Sequence, residues 1–252
     1  MSLAHYKDNN YIKYNNYNKE PDYTTHTIHH KIYIDRLFPD VRELGLQHKL
    51  KINLESIMYI TIPYDAERIT KIIRNHLEKF VAMCEEAVIT DGTAGVGGNT
   101  ISFVRNFKKV HAIELDQERF NYLCNNVNLY EQNNVKFYKG DSMEIIPKLE
   151  QDVIFIDPPW GGKCYKNKNN IKLCFGELSI EDLCLKFLDK DIMEQVPKLI
   201  VLKLPKNCDV KTIYNKIVGG NKVYYYGLNK MIILVIENCH QELSFSSVSS
   251  MI

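Results

Sequence analysis

A carboxylate, two prolines and the chain's single tryptophan stand in a row at Asp157-Pro158-Pro159-Trp160, followed by Gly161-Gly162. An aromatic amine delocalises its lone pair into the ring and is a poor nucleophile. Acceptors placed around its two N–H bonds favour the localised, more pyramidal form. The Asp157 carboxylate and the Pro158 carbonyl are acceptors of that kind. Trp160 can stack a planar base and hold its nitrogen in line with an electrophile, which is catalysis by positioning. A second group runs Asp91-Gly92-Thr93-Ala94-Gly95-Val96-Gly97-Gly98-Asn99-Thr100. Gly95 and Gly97 would let backbone approach a ligand where a Cβ would collide. Glu114 follows the glycines by about 20 residues, a spacing suited to accepting both ribose hydroxyls of a nucleoside cofactor. Asp141 can accept from an adenine amino group. Asp91, Thr93, Asn99 and Thr100 are grouped with them as candidate cofactor contacts. The alternatives are a glycine-capped tight turn, and a core tryptophan behind a rigid turn.

These residues need strands that end together and helices that cover the sheet. Ile69, Ile72, Ile73, Leu77 and Phe80 fall at helical spacing behind Pro63, with Asp65 as the expected N-cap. Short apolar runs at 87–91, 110–115, 135–138, 152–157 and 199–204 read as strands, and Asp116 can cap the helix between the second and third. The glycine loop, Glu114, Asp141 and Asp157 then lie at or just beyond successive strand ends. Segments 222–228 and 231–237, joined by Asn229-Lys230, read as a closing hairpin. Alternating strands and helices argue for a doubly wound α/β sheet. A mostly parallel sheet of about seven strands with a C-terminal antiparallel hairpin resembles the Rossmann-like class I S-adenosylmethionine-dependent methyltransferase fold, whereas dinucleotide oxidoreductases normally end parallel. The expected organisation is an Asn/Tyr-rich flexible tail over 1–30, a small N-terminal accessory segment over 31–62, the main domain over 63–240 and a short tail over 241–252.

Composition narrows the partners. The 252 residues carry 32 Lys+Arg and 31 Asp+Glu, so a nucleic acid would have to be met by a local patch. Lys163, Lys166, Lys168 and Lys172 cluster just after the tryptophan motif and could hold phosphates, or form a solvated loop. The apolar run 231–236 is far shorter than the roughly 20 residues of a bilayer span. The seven cysteines are scattered without C-x-x-C, and His26, His29 and His30 lack partners at ligand spacing. The expectation is an intracellular monomer without a metal or membrane anchor.

The group D/N/S-P-P-Y/F/W occurs in methyltransferases acting on exocyclic amines of nucleobases. With G-V-G-G-N-T and P-P-W-G-G together, the chain resembles the trimethylguanosine synthase family, from Arg36-Leu37-Phe38 to Val218. The resemblance implies methyl transfer from S-adenosylmethionine to the N2 amine of a 7-methylguanosine RNA cap. It places cofactor contacts on Gly95, Gly97, Gly98, Asn99 and Thr100, the ribose acid on Glu114 and the adenine acid on Asp141. It places cap stacking on Trp160 and phosphate contact on Lys206 within Leu204-Pro205-Lys206-Asn207; a family tyrosine matches Tyr165, which could add stacking surface or serve packing. On this reading Asp157, Pro158 and Trp160 carry the reaction, and Lys163, Tyr165 and Lys206 help hold substrate. The family usually has Ser before P-P-W and Arg at the Lys206 position, and its aromatic N-terminal segment is poorly matched by 29–35. Rival readings are methylation of adenine N6 or of tRNA guanine N2, and a catalytically silent RNA-binding subunit.

Overall fold

The computed structural model describes residues 11–12 and 31–241. Seven strands form the main sheet: β1 (Val88–Asp91), β2 (Lys109–Glu114), β3 (Val135–Lys139), β4 (Val153–Ile156), β5 (Leu199–Pro205), β6 (Asn221–Gly227) and β7 (Met231–Asn238). Their order is β3-β2-β1-β4-β5-β7-β6. The first five are parallel, and β7 runs antiparallel between β5 and β6. Leu228 N donates to Met231 O at 2.9 Å, closing the β6–β7 hairpin over Asn229-Lys230. The expected mostly parallel sheet with an antiparallel end is what the chain forms.

Chain order reverses between β1 and β4, so the crevice beyond their carboxyl ends is the place where an open α/β sheet takes a ligand. Helices cover both faces. On one lie α1 (Lys31–Leu37), α2 (Leu54–Tyr59), α3 (Pro63–Leu77), α4 (Thr100–Val104) and α5 (Gln117–Asn128); on the other lie α6 (Ser142–Ile145), α7 (Ile180–Phe187) and α8 (Val210–Ile217). Alternation along β4 sorts the cores: Val153 and Phe155 join the first, Ile154 and Ile156 the second. Such strands read as continuous apolar runs because both faces are buried.

Two local expectations change. Asp65 does not cap α3; Ile62 holds the N-cap position and Pro63 is the first helical residue. Proline suits that place, since its φ is preset and its missing N–H would have had no helical partner. Asp65 is instead buried in the first turn, with Oδ1 unpartnered. A small ribbon, Lys172–Phe175 with Leu178–Ser179, escaped the sequence reading, and Tyr11–Ile12 of the N-terminal segment pair with it in parallel at Lys172–Leu173. The remainder of 1–30, His26, His29 and His30 included, and the tail from 242 lie outside the described residues.

Candidate active site

The loop after β1 is shaped from below by Asp91. Its carboxylate has no exposure; Oδ2 accepts from Thr100 Oγ1 at 2.7 Å and Oδ1 from Thr93 N at 3.3 Å. Burial pushes the Asp91 carboxyl up to about 7, against those two hydrogen bonds and helped by the charges of Asp157 and Glu114. Asn99 is also buried and donates to Thr61 Oγ1 at 3.1 Å. The side chains of Asp91, Asn99 and Thr100 therefore hold the loop from inside. Their contacts within the protein come first because each is a polar group out of reach of water.

The glycines divide in the same way. Gly95 has φ 57° and a Cβ built there meets nothing within 4 Å. Gly97 has φ 104°, but its Cβ would stand 3.2 Å from Val127 Cγ2 on α5. Gly97 thus serves close packing of loop against helix. At Gly98 a Cβ would stand 2.8 Å from both Ile60 Cγ1 and Thr61 O.

Glu114 ends β2, nearly buried, with three protein donors. Gly95 N reaches Oε2 at 2.9 Å, and Asp116 N and Arg119 Nε reach Oε1 at 2.8 and 3.1 Å. A carboxylate offers about four lone-pair positions, so a ribose hydroxyl would share Oε2 with Gly95. Asp141 is exposed and caps a short turn by accepting from Met143 N at 2.8 Å. The open space above Gly95, an acid fixed beside it and a second acid two strands from β1 fit a nucleoside cofactor.

Thr93 joins this region to the tryptophan motif, for Asp157 N donates to Thr93 Oγ1 at 2.7 Å. Asp157 Oδ2 accepts from Lys203 Nζ at 2.5 Å. Burial pushes the Asp157 carboxyl up, and Lys203, with the Trp160 indole, pulls it back. The indole Nε1 donates to Lys203 O at 3.3 Å, and Lys203 Nζ lies 5.2 Å from the ring centroid. Pro158 is buried, Trp160 is half-buried against both cores, and Tyr165 meets its ring edge-on at 5.4 Å. Asn207 Nδ2 donates to Tyr165 O and Lys168 O at 2.7 and 2.6 Å, tying the loop after the motif to the end of β5. Lys166, Lys168 and Lys206 are exposed. Nothing is described of the Lys163 side chain.

Lys203 is the residue that sequence reasoning missed. Its signal was a lone cation inside the apolar run Leu199-Ile200-Val201-Leu202-Lys203-Leu204. A groove of about 470 Å³ between α3 and α4 lies elsewhere, lined by charges of both signs such as Glu67, Lys71 and Arg105. Of the glycine loop it meets only Gly98, and it holds none of Glu114, Asp141, Asp157 or Trp160, so the strand edge is the candidate site. Among the described residues no cluster of His, Cys, Asp or Glu could hold a metal, and no helix is long and apolar enough to cross a membrane.

Comparison with known proteins agrees with this geometry. Residues 86–245 match the family model described as RNA cap guanine-N2 methyltransferase. An uncharacterized protein of Acanthamoeba polyphaga mimivirus is 38% identical over 220 residues, covering 80% of this chain and 84% of that one. The trimethylguanosine synthase of Schizosaccharomyces pombe is 28% identical over 142 residues, 53% of this chain and 56% of the yeast protein. Among solved structures, a putative methyltransferase from Porphyromonas gingivalis shares the fold with a TM-score of 0.53 at 16% identity, covering 78% of this chain and 45% of that one. A class I methyltransferase sheet, the Asp157-Pro158-Pro159-Trp160 motif at its switch point and a family match over most of the chain lead to one conclusion: the protein belongs to the RNA cap guanine-N2 methyltransferase family.

Proposed function

We propose that the chain transfers methyl from S-adenosylmethionine to the exocyclic N2 amine of a 7-methylguanosine RNA cap. The observation that carries this reading is the joint placement of Asp157 and Trp160 beside the glycine loop, tied to it through Thr93. S-adenosylmethionine, when bound, supplies an electrophilic methyl group. Gly95 would lie under it, with Glu114 toward the ribose and Asp141 toward the adenine. Asp157 and the Pro158 carbonyl accept the N–H bonds of the target amine, and Trp160 holds the base. The methylated nitrogen is acidic and loses its proton easily, so no strong base is required. Tyr165 widens the stacking surface, and Lys163, Lys166, Lys168 and Lys206 serve the cap phosphates.

A cationic 7-methylguanine gains a cation–π term on tryptophan of about 0.5–2 kcal/mol. Lys203 already places an ammonium near the ring, so the lower end of that range applies, a preference of about two- to fivefold. Initial rates on 7-methyl-GTP and GTP with labelled cofactor test this. Methylation of the 7-methylated substrate in preference is expected. Equal rates on both would remove the cap reading and favour a general nucleobase amine methyltransferase. Failure to bind cofactor in calorimetry would favour a silent RNA-binding subunit.

A further inference from the structure

We propose that Lys203 is a positioning residue of the reaction centre. Through Nζ it orients the Asp157 carboxylate, and through its carbonyl oxygen it fixes the plane of Trp160, so that amine acceptor and stacking plate move as one unit. This rests on the reading that Asp157 and Trp160 face the acceptor base.

Lys203 lies on β5 opposite Ile233 of β7, on the same face as Leu199 and Val201, and is only 4% exposed. A buried ammonium is tolerated when it is paired and hydrogen-bonded. Here its partner is Asp157 Oδ2 at 2.5 Å, on the neighbouring strand's end. A carboxylate has about four lone-pair positions, so Asp157 keeps room to take an N–H from an acceptor amine. The rigid Pro158-Pro159 pair carries the chain from Asp157 to Trp160, whose indole returns to the same lysine at 3.3 Å. Two groups three residues apart thus converge on one residue of another strand. The charged groups near Asp157 are Lys203 from β5 and Asp91 at the end of β1. Removing the lysine leaves a partly buried carboxylate with an acid beside it and no cation, and it will hold its proton to higher pH. The usual occupant of position 157 in the resembled family is Ser, which needs no cation; the aspartate here comes with one.

The experiment compares full-length wild type with Lys203→Met. The Asp157 midpoint is read by carboxyl carbon NMR, assigned with Asp157→Asn. The emission of Trp160, the only tryptophan in the chain, is read without substrate. Lys203→Met should raise the Asp157 midpoint by about 1–3 pH units, the usual effect of removing an opposite charge at this range, and should change the Trp160 emission. The acid limb of kcat/KM on 7-methyl-GTP should move upward by the same amount, with cofactor affinity retained. An unchanged midpoint with activity lost equally at every pH would overturn the proposal and leave Lys203 as packing. Because midpoint and emission need no substrate, a wrong cap assignment would show as absent turnover beside an intact shift. If Lys203→Met does not fold, the double variant Asp157→Ser with Lys203→Met removes both charges. It should fold and lose the acid limb; an acid limb identical to wild type would overturn the proposal.

Discussion

The two ends of the sheet hold buried carboxylates beside lysines and put them to different uses. At the carboxyl end of the parallel strands, Asp157 takes Lys203 and the pair borders the half-buried Trp160. At the opposite end, Glu237 of β7 pairs across from Leu199, the first residue of β5, and has no exposure. Its Oε1 takes His76 Nδ1 and also Lys79 Nζ at 2.5 Å, while His76 Nε2 meets Tyr226 OH at 2.6 Å. Lys79 further lies 4.8 Å from the Tyr224 ring centroid. Both clusters meet the need of buried charge for partners. One stands where strand ends open a crevice; the other ties the end of α3 to the closing hairpin. The chemistry of a buried ion pair does not mark function; its position relative to the strand direction does.

If that division is right, substitutions at the two ends should separate stability from activity, and the reactive end should show its own pH signature. Asp91 has no cation against it, and burial holds its carboxyl at about 7, above the ordinary 3.8. Between about pH 4 and 7 the unfolded chain has released a proton that the folded chain keeps, so stability falls as pH rises through that window and levels off above it. At about 1.4 kcal/mol per unit the span is about 4 kcal/mol. Asp91→Asn should flatten it, seen as a melting-temperature difference that moves in favour of the variant from pH 4 to 7. A parallel pair of curves would show that Asp91 does not hold the proton.

At the opposite end, His76→Leu should cost about 3 kcal/mol, the lower end for breaking a buried pair because Lys79 remains. Denaturant melts measure the loss, and cofactor affinity of the folded protein should not change. Trp160→Ala should do the reverse. Loss of stacking is worth about 1–3 kcal/mol per base, so transfer should fall by up to about a hundredfold with cofactor affinity retained. A Trp160→Ala protein that binds cofactor tenfold more weakly would misplace the tryptophan. The finest cut lies within the loop. Alanine at either left-handed glycine costs about 1–2 kcal/mol in backbone strain. Gly97→Ala should lower stability and leave calorimetric cofactor affinity intact, since its methyl meets Val127. Gly95→Ala should weaken cofactor binding as well. Equal behaviour of the two would dissolve the distinction between them.

The sequence made the reactive end legible in part. Apolar runs located β1 to β5, and strand ends located Glu114, Asp141 and Asp157, because each ends its strand or follows it within two residues. The Asp116 cap was legible too, and its side chain accepts from Arg119 N at 2.8 Å. What escaped were pairings across distance. Lys203 meets a carboxylate 46 residues away, and His76 one 161 residues away. Nothing local in either lysine or histidine announces its partner. The inward turn of Asn99 and Thr100 escaped for a related reason: a motif gives residue types, and burial decides which of them face a ligand.

Gly98 carries a consequence for where this protein can be cut. With no room for a methyl between it and Thr61, the chain before α3 rests directly on the glycine loop. Ile34, Phe38, Leu50 and Ile52 share one apolar core with β1, β2 and β4. A trimmed protein beginning at residue 86, where the family match starts, would uncover that core and the underside of the loop. The length of chain that folds together is greater than the length that the family model matches.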